Sequence, residues 1–116
     1  MTVQKVKILF VCTVNRMRSA TAHTIYGHDE RLEVKSAGTD ATANVVLTEE
    51  LLKWADAVVV MEKQHRNFIR ARYPAIYAGK KIVCLYIPDE YDYMQTSLVA
   101  ILQDKFEDIL KRGLLG

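Results

Sequence analysis

Four apolar runs of strand length, Val6–Val11, Leu32–Val34, Ala57–Met61 and Ile82–Ile87, stand along this chain with helical patterns in the intervals between them. Strands that alternate with helices in this way are joined by crossovers, and the outcome is a parallel sheet covered on both faces. The first and third runs are almost wholly apolar, as strands buried on both sides must be. The pattern therefore predicts an α/β fold, a three-layer sandwich with a four-stranded parallel sheet and helices on both faces.

The helices have readable ends. Ser19 to about Tyr26 is the first, stopping near Gly27. Thr48 is a suitable N-cap for the second, with Glu49 and Glu50 in its first turn and Leu51, Leu52 and Trp54 on its apolar side. A basic third helix runs from about Glu62 to Arg72, where Tyr73-Pro74 ends it. In the last helix Leu98, Ile101, Leu102, Phe106, Ile109 and Leu110 share one face, and Gly113 stops it.

At 116 residues, half of them apolar, the chain is expected to form one domain, 1–116, with a core that needs no disulfide staples. Lys5 and Lys7 interrupt the first apolar run, which is also too short to span a bilayer, so a cytoplasmic location is expected. A net charge of +2, with no basic stripe interleaved with aromatics, points to neither nucleic acid nor membrane as a partner. The cluster Lys63, Arg66, Arg70 and Arg72 reads as a solvated helix face. Cys12 and Cys84, with the scattered His23, His28 and His65, match no zinc-ligand spacing, so no metal is expected.

In a parallel sheet, ligands sit beyond the carboxyl ends of the strands. Two segments meet that rule: the loop Cys12-Thr13-Val14-Asn15-Arg16-Met17-Arg18 after the first strand, and Pro88-Asp89-Glu90-Tyr91-Asp92-Tyr93 after the fourth. The first is a tight loop running straight into a helix. Its backbone N–H groups, from Thr13 to Met17, can curl around one anion, and the helix N-terminus adds its positive end. Cys12 then lies at the bottom of an anion cradle, where those donors and the Ser19 hydroxyl favour its thiolate. Arg18 can grip two oxygens of a phosphoryl group in a bidentate fork. Asn15 is the residue of the loop best suited to a positive φ. Asp89, which opens the second loop, is the first candidate for proton donor to a leaving group, with Glu90 and Asp92 behind it. Tyr91 and Tyr93 can wall a pocket for an aromatic ring, or pack against the loop.

Cys12-x5-Arg18-Ser19 after an apolar strand, with Asn15 inside, resembles the active-site loop of the low-molecular-weight protein tyrosine phosphatases. Ser36-Ala37-Gly38-Thr39, Asp56-Ala57-Val58-Val59-Val60-Met61-Glu62-Lys63 and Pro88-Asp89-Glu90-Tyr91 resemble further segments of that family in the same order. The resemblance implies a protein tyrosine phosphatase that needs no metal or organic cofactor and hydrolyses a phosphotyrosine protein or a small aryl phosphate. It implies Cys12 as nucleophile, forming a cysteinyl-phosphate intermediate, and Arg18 as phosphate clamp. Ser19 would stabilise the thiolate, Asn15 organise the loop, and Asp89 act as acid and then base. Inorganic phosphate or a similar oxyanion is the expected occupant of the loop.

The chain departs from the family in several places. It is short between Thr39 and Thr48, which predicts a more open mouth. Val14 stands at a usual glycine, and Arg16 at a usual apolar wall position, where it is placed to meet a second anionic group. Met17 replaces a second loop cysteine, so no disulfide can form inside the loop. Glu90 replaces a proline. Two alternatives share the loop: an arsenate reductase using an external thiol, and a catalytically weak phosphate-binding module.

Overall fold

The computed structural model describes residues 5–113. Strands β1 (Val6–Cys12), β2 (Leu32–Gly38), β3 (Ala57–Val60) and β4 (Lys81–Cys84) form one parallel sheet in the order β2-β1-β3-β4. Between them lie α1 (Arg18–Tyr26), α2 (Glu49–Trp54), α3 (Lys63–Arg72) and α4 (Pro74–Gly79), and α5 (Thr96–Lys111) follows β4. The predicted α/β sandwich is the observed one. No helix among the described residues is long and apolar enough to cross a membrane.

Side chains alternate across a strand, so a run buried on both faces must feed two cores. Ile8, Phe10 and Cys12 of β1 join Ala57 and Val59 of β3 under α1 and α5, with Tyr26, Leu98, Leu102 and Phe106. Leu9 and Val11 join Val58 and Val60 on the opposite face, with Leu52 of α2 and Ile69 of α3. The apolar stripe read on the last helix is the one α5 buries: Leu98, Leu102 and Phe106 are fully enclosed. Phe106 packs its ring, tilted, 5.2 Å from Phe10 and 4.6 Å from Tyr26, centroid to centroid. Each such buried side chain contributes about 1.5–3 kcal/mol.

Three boundaries differ from the sequence reading. β2 continues past Val34 to Gly38, because its small residues Ser36, Ala37 and Gly38 keep pairing with Phe10, Val11 and Cys12. β4 is shorter than Ile82–Ile87, since the chain turns at Tyr86, whose φ is +55°. Leu85 and Ile87 nevertheless still donate backbone hydrogen bonds to Val60 and Met61. Pro74, read only as a stop, also begins α4: a proline has no N–H to lose in the first turn of a helix. At the other ends the signals hold. The Thr48 hydroxyl accepts from the Leu51 N–H at 3.2 Å, and Gly113 takes the left-handed φ of +69°.

Candidate active site

β1 and β3 are the central strands, so the junctions after them meet at the carboxyl edge of the sheet. The loop from Cys12 to Arg18 is drawn taut there by the stretch that follows β2. The N–H groups of Thr39, Asp40 and Asn44 donate to the carbonyls of Cys12, Thr13 and Val14 at 3.0, 2.9 and 3.1 Å. The Asn44 side-chain amide donates to the carbonyl of Asn15 at 3.1 Å. Four successive carbonyls are thereby turned outward. In a trans peptide the next N–H points the opposite way, so the N–H groups of Thr13 to Arg16 turn toward the inside of the loop. That is the geometry of an anion cradle. The segment between Thr39 and Thr48, short as it is, folds against this loop and holds it in shape.

Gly38 stands beneath the cradle. A Cβ on it would lie 2.4 Å from the Thr13 carbonyl oxygen, 2.7 Å from the Ala43 Cβ and 3.0 Å from the Asn15 nitrogen. All of these belong to the loop or to the segment that holds it. Gly38→Ala is therefore expected to lower stability by about 1–3 kcal/mol through overpacking. Oxyanion binding should weaken at the same time. Urea denaturation and phosphate titration of the variant check both, and an unchanged midpoint would contradict the close fit.

Cys12 is buried at the end of β1. Its Sγ lies 2.9 Å from the Ser19 Oγ and receives the Asn15 N–H at 3.3 Å. Asn15 has the predicted positive φ, +56°, and its side-chain amide donates to the Ser19 Oγ at 2.8 Å. With that bond occupying a lone pair, the Ser19 hydroxyl hydrogen is free to point at sulfur, or at the more distant Ala37 carbonyl at 3.5 Å. Both contacts of the sulfur can thus be donors.

Arg18, only 2 % exposed, is the largest fully buried side chain of the fold. Its Nη1 donates to the Glu62 carboxylate and, at 2.8 Å, to the Ile87 carbonyl. Its Nη2 lies 3.9 Å from the Asp89 Oδ1. A buried charge is tolerable when it is paired and hydrogen-bonded, and Glu62 supplies the pairing. The guanidinium is thus oriented from behind by the β3–α3 and β4–α5 junctions. Asp89 itself is 69 % exposed, at the mouth. Asp92 is engaged in a turn before α5, its N–H donating to the Gln95 Oε1 at 2.9 Å, and Glu90 is exposed.

The remaining residues singled out in the sequence separate into two groups. Arg16 reaches across the mouth, donating to the Asn44 Oδ1 at 3.3 Å and to the Thr42 carbonyl at 3.2 Å. Tyr91 is half-buried and packs against the core beneath α5, whereas Tyr93 bonds the Thr24 hydroxyl of α1 at 2.7 Å. His23 donates to or accepts from the Ser36 hydroxyl at 2.8 Å, and burial lowers its pKa. Cys84, a free thiol at the end of β4, is half-buried, and that burial raises its pKa.

Two residues of the site had not been singled out. Glu62 was read only as the start of a helix, and His65 only as a scattered histidine. Both lie at the junction of β3 and α3, at the same sheet edge as Cys12. His65 is 1 % exposed and places its Nε2 3.0 Å from the Thr13 hydroxyl, while its Nδ1 accepts the Glu62 N–H at 3.0 Å. Burial, and next the charge of Arg18, push the His65 imidazole down to about 4. The topological rule that selected the loops after the first and fourth strands would have selected this junction too.

No family model and no curated protein matches the sequence. Solved structures do resemble the fold. The tyrosine phosphatase Wzb from Escherichia coli K30, in complex with phosphate, is similar at a TM-score of 0.74 and 19% identity, over 94% of this chain and 99% of that one. For a low-molecular-weight protein tyrosine phosphatase from Streptococcus pyogenes the values are 0.73 and 16%, over 92% of both chains. The YwlE arginine phosphatase from Geobacillus stearothermophilus is similar at 0.66 and 24% identity, over 95% of this chain and 96% of that one. These likenesses cover nearly all of each chain. The chain has the fold of the low-molecular-weight protein tyrosine phosphatases.

Proposed function

We propose that this protein is a phosphomonoester hydrolase of the protein tyrosine phosphatase type, acting through a cysteinyl-phosphate intermediate. One observation carries the reading: Cys12, with two potential donors on its sulfur, begins a loop that ends at the buried Arg18, whose Nη2 lies 3.9 Å from Asp89. Thiol, cradle, guanidinium and carboxylate are the set that in-line phosphoryl transfer to sulfur requires.

In this reading the phosphoryl group enters the loop, its oxygens held by the backbone N–H groups and the fork of Arg18. The Cys12 thiolate attacks phosphorus as the phosphorus–oxygen ester bond breaks. The departing oxygen takes a proton from the Asp89 carboxyl group. Water then attacks the thiophosphate, giving its proton to the Asp89 carboxylate. Phosphate leaves, and the Cys12 thiolate and the protonated acid are restored. Support for Asp89 over Asp92 comes from placement, since Asp89 neighbours Arg18 and Asp92 belongs to the turn before α5.

Asp89→Ala is expected to lower kcat for para-nitrophenyl phosphate near pH 6 by about a hundredfold. The loss should be larger for phenyl phosphate, whose poorer leaving group depends more on the proton. Equal loss in Asp92→Ala, with Asp89→Ala near wild type, would move the role to Asp92.

Phosphoarginine is a second substrate class. It is favoured by the likeness to an arginine phosphatase and by the exposed carboxylates of Asp89, Glu90 and Asp92, which suit a cationic leaving group. Side-by-side kcat/KM for phosphotyrosine and phosphoarginine peptides decides between them. Release of phosphate from neither, with phosphate still bound, would support a binding module. Thiol-dependent reduction of arsenate would support a reductase.

A further inference from the structure

His65 has no part in the chemistry above, yet it is buried among the groups that perform it. Its hydrogen bonds define its state. The backbone N–H of Glu62 can only donate, so the Nδ1 it meets must carry a lone pair. A neutral imidazole then has its proton on Nε2, and His65 donates that proton to the Thr13 hydroxyl oxygen. The Thr13 hydroxyl, with a lone pair occupied, keeps its own hydrogen for another partner. Thr13 is the residue directly after Cys12 and gives the first N–H of the cradle.

The same imidazole also fixes the residue that holds the arginine. Glu62 gives its N–H to His65, while its carboxylate accepts from Arg18. The His65 backbone N–H also donates to the Glu62 carbonyl at 3.0 Å, closing the first turn of α3. One side chain therefore ties the start of the phosphate loop to the support of the phosphate clamp. Thr13 and His65 are 52 residues apart in sequence, so this link is not made by local chain geometry.

We propose that His65 is a positioning residue, a neutral imidazole that sets the Thr13 end of the loop in register with the Glu62–Arg18 pair. It works through Thr13 and does not touch the reacting atoms. The inference rests on the phosphatase reading for its kinetic form only, because the link to the loop should act on oxyanion binding as well.

The test uses His65→Ala, His65→Gln, His65→Asn, Thr13→Val and the double variant His65→Ala/Thr13→Val, assayed with para-nitrophenyl phosphate and by titration with orthovanadate. His65→Ala is expected to lower kcat by about tenfold, chiefly through loss of the bond to Thr13, the bond from the Glu62 N–H being lost with it. Thr13→Val should do the same, and the double variant should be little worse than either single one, because both remove one link. His65→Gln, long enough to donate to Thr13, should recover most of the rate. His65→Asn, which can still accept from the Glu62 N–H but falls short of Thr13, should not. If His65→Ala does not fold, the Gln and Asn variants decide by the same contrast.

Wild-type kcat in folded His65→Ala or His65→Asn would overturn the proposal. So would losses that multiply in the double variant. A rate that follows only the fraction of folded protein, with Gln no better than Asn, would mean that His65 is structural and nothing more. Should the wild type hydrolyse no phosphate ester, the phosphatase reading fails alone. Orthovanadate binding then decides for His65: about tenfold weaker in His65→Ala supports it, and unchanged overturns it.

Discussion

Replacing Cys12 with Ser is expected to abolish turnover of aryl phosphates, with a loss on the order of a thousandfold or more. The substitution keeps the side chain's shape, and the Asn15 N–H and the Ser19 hydroxyl remain to meet the new oxygen. In the proposed mechanism, what changes is the nucleophile. A serine hydroxyl would need a strong base beside it to attack phosphorus. Among the contacts of this sulfur the groups are an amide N–H and a hydroxyl, and neither is such a base. Stability should change little, within about 0.5 kcal/mol, because no cavity opens and no charge is stranded. Steady-state rates with para-nitrophenyl phosphate and a urea melt check the two halves together. A Cys12→Ser protein that folds and turns over at the wild-type rate would remove the thiol from the chemistry.

Arg18→Lys is the second large effect, and it tests shape at constant charge. A lysine keeps the positive charge but offers a single ammonium in place of a planar fork. Arg18 uses one nitrogen, Nη1, for Glu62 and Ile87, and its Nη2 lies 3.9 Å from Asp89. An ammonium drawn to Glu62 cannot also hold two oxygens of a phosphoryl group. The expected loss in kcat/KM is about a hundredfold to a thousandfold, in line with removal of a donor aimed at developing charge. Phosphate inhibition should weaken in parallel. Stability should fall by about 1–3 kcal/mol, since an ammonium drawn to Glu62 leaves the buried Ile87 carbonyl without its donor. A Lys variant within tenfold of wild type would show that charge alone is enough, and that the fork plays no part.

The parts of the site that a linear reading could reach are those whose partners lie nearby in the chain. Cys12, Asn15 and Ser19 fall within one tight loop, and their mutual bonds follow from a turn that needs a positive φ at one position and a hydroxyl at the helix start. The sheet was equally legible, because Ile8, Phe10 and Leu9, Val11 must face opposite cores if the strand is central. Glu62 and His65 are different. Each acts on the loop from 44 or more residues away, through contacts that exist only once β3 lies beside β1. A glutamate that starts a helix and a lone histidine have common structural explanations, so their local sequence carried no signal. The hold of residues 39–44 on the loop was hidden for a related reason. It depends on backbone N–H groups, which every residue has, and on the extension of β2 through Ser36, Ala37 and Gly38. The shortened segment packs directly on the cradle. α4 escaped because its six residues are too few to show an amphipathic period, and Pro74 reads as a terminator as readily as an initiator.

The central claim is a covalent bond between Cys12 and phosphorus. Its most direct test is rapid acid quenching of the wild-type protein during turnover of para-nitrophenyl phosphate, followed by mass analysis of the peptide that contains Cys12. This peptide is expected to gain one phosphoryl group within the first turnover and to lose it as substrate is exhausted. Turnover that proceeds with Cys12 never phosphorylated, or with the phosphoryl group on another residue, would contradict it.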